Sequence, residues 1–319
     1  MKVLLDCPWL RDSIAEEVRA VAPDAEVVRA GKDDPGFARA WAEAEVYLGW
    51  PLGPDHEAAE SLRWVQTSSA GAGKLVHAVP EGWTVTTAAG VYGPPIAEHA
   101  LGMILRFTRK LGEAAEAQRK RSWGLPEPPP PMAELGGKTL LILGLGDIGR
   151  CLAARAAAFG LEVVGVRRHA DRPAPPGVAR VEPLDALDRL LPEADFVVAA
   201  LPGTEHTRGL LDARRVGLLK PGAGLVNVGR GSLLDHDALA DALDAGRLGF
   251  AALDVLPEEP LPPGHRLWTT PRLLVTPHVA GQGGGTGRRL ADLFLANLKA
   301  YASGDTESMR NVFEHRWGY

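Results

Sequence analysis

LLILGLGDIGR, Leu140–Arg150, is the stretch that decides the fold of this 319-residue chain. Its apolar start reads as a buried strand, and the stretch Ile148 to Phe159 reads as a helix. Between them stands Gly144-Leu145-Gly146-Asp147-Ile148-Gly149, a G-x-G-x-x-G pattern. Alone that spacing is a tight turn. Set between a strand and a helix it is the first turn of a dinucleotide-binding unit. Gly144 permits the turn, Gly146 lets the backbone approach a pyrophosphate, and Gly149 lets helix and strand pack closely. The helix N-terminus adds unpaired N–H groups and positive potential, so Leu145, Asp147 and Ile148 join the cofactor surface.

The next strand, Glu162–Val166, ends in Arg167 and Arg168, roughly 20 residues beyond the glycines. An acid at that tip hydrogen-bonds a ribose 2′-OH and repels a 2′-phosphate. Arginine does the reverse, because its planar fork suits phosphate oxygens. The pair favours NADP(H). NAD(H) is the alternative if both arginines are simply solvated, and Asp171 stands too far along to serve the ribose.

Outward from this turn, short β-like runs alternate with helical patterns in both directions, the mark of βαβ units and parallel sheets. Lys2–Leu5, Glu26–Val28, Val46–Leu48 and Arg63–Thr67 read as strands of a first series. TLLIL, EVVGV, DFVVAA, GLVNV, FAALDV and LLVT read as strands of a second. A single long helical pattern runs from Pro95 to Trp123, where prolines at the start cost little. The four prolines after it are read as a stiff connector rather than a polyproline ligand. The expected fold is α/β, with two Rossmann-like lobes, doubly wound parallel sheets, and the cofactor and active site in the cleft between them. Residues 99–286 form the nucleotide lobe. Residues 1–98 and 287–319 form a discontinuous substrate lobe, and the two crossings make a hinge whose closure would exclude water.

Composition narrows the function. Charged residues make up 24% and net charge is −5, without the basic excess of a nucleic-acid footprint. Cys7 and Cys151 have neither CxxC nor metal spacing, and MKVLLDCPWL is too poor in apolar residues for a signal segment. Both features fit the cytoplasm. No apolar run nears the ~18 residues of a membrane span. No metal, nucleic acid or membrane is expected at work.

Three polar residues follow later strands, where open α/β sheets place ligands. They are Arg230 in GLVNVGRGSLLD, Glu259 in LDVLPEEPLP and His278 in LLVTPHVAG. Singly they read as a helix cap, a turn residue and a loop histidine. Together, after a nucleotide-binding turn, they make a coherent hydride-transfer site.

These segments resemble the D-isomer-specific 2-hydroxyacid dehydrogenase family. GLGDIG, LPGTEHTRGLL, VNVGRGSLLDHDAL, LDVLPEEPLP and TPHVAG recur in its order and cover most of residues 138–285. YLGWP near Trp50, the arginines and the final Gly-Tyr are similar to its glyoxylate/hydroxypyruvate reductase-like group. The resemblance implies that His278 is the general acid for a 2-keto acid, paired with Glu259, which favours its protonated form. Glu259, not Glu258, immediately precedes proline as the family's catalytic glutamate does. Arg230 holds the substrate carboxylate and polarises the carbonyl. SSAGAGK resembles the family's carboxylate-binding loop, pointing to the N–H groups of Ala70, Gly71 and Ala72. Trp50 reads as a wall of the pocket or, almost equally, as core packing.

The resemblance also puts Leu201, Pro202 and Thr207 on the adenosine and phosphate side. Val228 and Gly229 fall near the nicotinamide ribose, and Asp254 at the carboxamide. His99 is read as structural or interlobe rather than catalytic. The expected partners are a small 2-keto or 2-hydroxy acid and a second copy of the chain; helix 96–118 reads equally as a homodimer surface or as a buried intramolecular helix. Two rivals stand beside this: a 3-phosphoglycerate dehydrogenase-like enzyme using NAD, with Lys74 and Arg63 as phosphate contacts, and a non-catalytic nucleotide-sensing scaffold.

Overall fold

The computed structural model describes residues 1–49, 59–71, 80, 82–124 and 132–313. Trp50, Ala72, Lys74, the proline run and the final Gly-Tyr lie outside the described residues. The chain begins with β1 (Lys2–Asp6), α1 (Ile14–Val21), β2 (Glu26–Arg29), α2 (Phe37–Glu43), β3 (Val46–Gly49), β4 (Trp64–Thr67) and β5 (Thr84–Thr86). A second unit follows with α3 (Gly93–Thr108), α4 (Leu111–Arg119), β6 (Thr139–Leu143), α5 (Asp147–Ala158), β7 (Glu162–Val166) and β8 (Arg180–Glu182). It continues through α6 (Leu187–Leu190), β9 (Phe196–Ala199), α7 (Ala213–Leu218), β10 (Gly224–Asn227), α8 (His236–Asp244), β11 (Phe250–Leu253) and β12 (Leu273–Val275). Helix α9 (Thr286–Ala302) returns to the first unit.

The units divide at Tyr92/Gly93 and Gln282/Gly283, whereas the sequence reading puts the crossings at 98/99 and 286/287. The first crossing falls earlier because α3 is one helix from Gly93. Its buried face, with Ala97, Ala100, Leu101, Met103 and Ile104, belongs to the second unit's core. The second falls in the glycine run before α9.

In the first unit the strand order is β2-β1-β3-β4-β5, all parallel. Side chains alternate across it. Val3, Leu5, Val46, Leu48 and Trp64 pack with α1 and α9, while Leu4, Tyr47, Val65 and Val85 pack with α2. The second unit's sheet runs β12-β11-β10-β9-β6-β7-β8, again parallel throughout. Leu141, Leu143, Val197 and Leu225 face α6, α7 and α8; Leu140, Ile142, Val198 and Val226 face α3 and α5. Burial on both faces is why these strands read as continuous apolar runs. The winding reverses at β6, with β7 on one side and β9 on the other, so the ligand crevice of such a sheet opens at the end of β6.

The long helical pattern 95–123 is two helices, not one. Lys110 adopts φ 55°, in the left-handed region, and separates α3 from α4. The apolar positions run out there: α3 buries a face, whereas α4 buries no residue at all. Helix propensity survives the break, but the core that holds α3 straight does not continue.

A buried polar network ties the first unit's last helix to its sheet. Trp64 Nε1 donates to Thr86 Oγ1 at 2.9 Å, and Thr86 Oγ1 donates to Gln66 Oε1 at 2.7 Å. Asn297 on α9 donates to Gln66 Oε1 at 3.1 Å and accepts from the Arg310 N–H at 2.8 Å. Asn297 is 1% exposed, so its loss strands partners out of reach of water. Asn297→Leu is expected to lower unfolding free energy by roughly 1–3 kcal/mol in a urea titration. An unchanged midpoint would show the network to be dispensable.

Candidate active site

The glycine turn has the geometry of a pyrophosphate cradle. Gly144 has φ 105°, and a Cβ there would stand 2.8 Å from Ala200 O at the end of β9. A Cβ at Gly149 would stand 1.9 Å from Gly144 O, so helix and turn touch backbone to backbone. At Gly146 a Cβ would meet nothing within 4 Å. Gly146 is also the N-cap of α5 and provides no side-chain cap, leaving first-turn N–H groups for a ligand. These features fit a dinucleotide phosphate. Leu145 is buried, and Ile148 packs partly against the same core, so neither side chain forms a polar contact surface. Asp147 turns its carboxylate to the Gly93 N–H at 2.7 Å, fastening the start of α3.

At the tip of β7 the two arginines differ. The Arg167 guanidinium donates to the carbonyls of Arg172 and Pro173, folding the following loop back on the strand end. Arg168 is exposed. Across the switch point, Leu201 and Pro202 follow β9. Thr207 closes their turn, donating to Pro202 O at 2.6 Å and accepting from the Thr204 N–H at 2.9 Å. Val228 is buried, and Gly229 leads directly into Arg230.

Arg230 leaves the end of β10 in extended conformation. Asn227, fully buried as the last residue of that strand, shapes the turn. Its Oδ1 accepts from the Gly229 N–H at 3.1 Å and its Nδ2 donates to Arg230 O at 3.0 Å. Among the described residues the guanidinium's hydrogen bond is to Gly229 O at 2.7 Å. Burial lowers the affinity of Arg230 for its proton, and the charge of Glu259 opposes this. A guanidinium keeps its charge regardless, so it stands ready for an anion.

Glu259, rather than the adjacent Glu258, reaches the histidine. Its Oε1 accepts from the Leu256 N–H at 2.9 Å, and its Oε2 lies 2.7 Å from His278 Nδ1. The carboxylate thus accepts from Nδ1–H and leaves Nε2 as the working edge. His278 itself has φ 54°. Asp254, expected at a carboxamide, is 3% exposed and faces the histidine loop: its oxygens accept from the Val279 and Ala280 N–H groups, each at 3.0 Å.

In the first unit, Ala70 and Gly71 follow β4. The Gly71 N–H donates to Ser69 Oγ at 3.1 Å, so that donor is engaged within its own turn, while Ala70 is exposed. Cys7 is buried, and burial foremost pushes its thiol up to about 12, which makes it inert. Among the described residues no three His, Cys, Asp or Glu side chains are placed to hold a metal ion, and no helix is long and apolar enough to cross a membrane.

Residues 101–280 match the family described as D-isomer specific 2-hydroxyacid dehydrogenase, NAD binding domain. The chain belongs to that family. It is 34% identical over 255 residues to glyoxylate reductase of Thermofilum pendens, covering 78% of this chain and 74% of that one. It is 31% identical over 277 residues to D-3-phosphoglycerate dehydrogenase of Methanocaldococcus jannaschii, covering 82% of this chain but 50% of that protein. Among solved structures it is similar to a family protein from Aeromonas salmonicida, with TM-score 0.86 and 32% identity over 98% of this chain and 99% of that one. It is also similar to the D-isomer specific 2-hydroxyacid dehydrogenase from Xanthobacter autotrophicus in complex with NADPH and MES, with TM-score 0.81 and 29% identity over 100% and 99%. The protein is an NAD(P)-dependent D-2-hydroxyacid dehydrogenase.

In this dehydrogenase, Asn227 and Thr276 were not singled out by the sequence reading. Both lie inside quoted motifs, one in VNVGRG and one in TPH, and small polar residues at the ends of buried strands are the signal that could have marked them. The glycines separate folding from binding. Gly146→Ala is expected to leave the thermal midpoint within about 2 °C while weakening dinucleotide binding at least tenfold, because its methyl enters ligand space. Gly149→Ala is expected to lower stability by about 1–3 kcal/mol, because its methyl meets a backbone carbonyl. Thermal melts with cofactor-fluorescence titrations check both; equal behaviour of the two variants would contradict the assignment.

Proposed function

We propose that the enzyme reduces a small 2-keto acid, glyoxylate or hydroxypyruvate foremost, to the D-2-hydroxy acid with NADPH. The observation that carries the reading is the 2.7 Å contact of His278 Nδ1 with a Glu259 carboxylate locked by the Leu256 N–H. The cofactor supplies the hydride. His278 delivers a proton from Nε2 to the carbonyl oxygen and takes it back in the reverse direction. Glu259 fixes the ring's tautomer and orientation. Arg230 grips the substrate carboxylate and polarises the carbonyl.

NADPH is assigned through the tip of β7, with Arg168 as the phosphate contact and Arg167 shaping the loop beside it. A phosphorylated substrate finds less support. Arg63, one candidate for it, donates to the carbonyls of Glu60 and Leu62 at 3.0 and 2.9 Å. The relatedness to D-3-phosphoglycerate dehydrogenases keeps phosphohydroxypyruvate in the test.

Initial rates with NADPH and NADH against glyoxylate, hydroxypyruvate, pyruvate and phosphohydroxypyruvate decide among these. Strong NADPH preference with one of the first two keto acids is expected. His278→Ala should abolish most turnover, by roughly 100-fold or more. Arg168→Ala should cut the NADPH/NADH preference roughly tenfold, and Arg167→Asp with Arg168→Ala should cut it further. Retained turnover in His278→Ala defeats the acid assignment. Unchanged discrimination in the double variant defeats the cofactor assignment.

A further inference from the structure

We propose that Thr276 and His99 are positioning residues for His278, acting through the buried carboxylate of Asp254; this rests on the reduction reading above. His278 sits at φ 54°, a left-handed conformation that side-chain-bearing residues avoid unless their surroundings impose it. Its ring is about half exposed and, among the described residues, held by one hydrogen bond, to Glu259. The backbone on either side must therefore fix where the ring points.

Asp254 does this from below. Its Oδ1 accepts from the Val279 N–H and its Oδ2 from the Ala280 N–H, on the far side of His278. Oδ1 also accepts from Thr276 Oγ1 at 2.5 Å, on the near side. One carboxylate brackets the acid.

The protons in this chain have a determined direction. A hydroxyl has one proton, and Thr276 spends it on Asp254. Thr276 Oγ1 can then only accept from His99, whose Nε2 lies 3.1 Å away on α3. His99 therefore carries a proton on Nε2. That nitrogen is 3.8 Å from Asp254 Oδ1, beyond hydrogen-bond range, so Thr276 is the necessary link. The result is a donor chain from His99 to Thr276 to Asp254, anchoring the loop of the acid to a helix packed in the core. Neither Thr276 nor His99 is placed at the reacting atoms.

A carboxylate this buried depends on its full set of donors. Without the hydroxyl, Oδ1 loses one donor and its link to His99. The carboxylate can then shift, and the Val279 and Ala280 amides move with it. Misplacement of a catalytic group by about 1 Å costs on the order of 100-fold.

The test compares Thr276→Val with Thr276→Ser. Valine keeps the volume and loses the hydroxyl; serine keeps the hydroxyl and loses the methyl. The hydrogen-bond role predicts that kcat for keto-acid reduction falls roughly ten- to 100-fold in the valine variant, with cofactor KM within about twofold. Serine should restore most of the rate. A packing role predicts the reverse order. His99→Leu and His99→Gln repeat the comparison should the valine variant fail to fold. Amide hydrogen exchange at Val279 and Ala280 gives a readout independent of turnover. It should accelerate roughly tenfold in Thr276→Val and return towards wild type in Thr276→Ser. Wild-type kcat and exchange in Thr276→Val, or serine worse than valine, would overturn the positioning role. Absence of keto-acid reduction by the wild-type enzyme would instead overturn the reduction reading, and the exchange data would still decide the loop's anchoring.

Discussion

Parallel strands all end on the same edge. An antiparallel hairpin returns its chain to the opposite edge, but a parallel sheet must carry each connection back across a face before the next strand begins. That constraint assembles the second unit's chemistry. Gly144, Arg167, Leu201, Arg230, Asp254 and Thr276 are far apart in the chain, yet each follows the C-terminal end of a strand in one sheet. The reversal of winding at β6 then opens that edge beside the glycine turn. Residues follow strands because strands are rigid; the loops between them only have to begin in the right place.

The Glu259–His278 contact illustrates what such placement is for. The partners are 37% and 52% exposed, and an ion pair so open to water contributes little to stability. Its value is directional. Glu259 holds one oxygen on the Leu256 N–H and offers the other to Nδ1, which fixes the ring face that remains. Arg230 shows the complementary case. It is more buried, and among the described residues its hydrogen bond is to its own neighbour's carbonyl rather than to a carboxylate.

Legibility in the sequence tracked the range of the interactions involved. The strands and the glycine turn were readable because apolar runs and glycine spacing are local and carry their own geometry. Gly149 needs no side chain because of Gly144, five residues away. The break at Lys110 was not readable, since Ala- and Glu-rich sequence keeps helix propensity after the core has ended. Nor was the inward turn of Asp254, whose partners at 276, 279 and 280 belong to the next strand's loop. The short strands β5 and β8 and the helix α2 were passed over for a related reason: three to seven residues carry too little periodicity to separate from a turn.

The two arginines at the end of β7 join these strands of reasoning. From sequence they are an undivided pair of positive charges. In the fold, Arg167 spends hydrogen bonds on loop carbonyls, yet its Nε is buried without a partner among the described residues. An unmet buried donor is costly, and it persists where a ligand completes it or where strain is stored. An anionic oxygen is the strongest acceptor that could meet a guanidinium there. One arginine ties down the loop and the other lies exposed, so the two are not interchangeable.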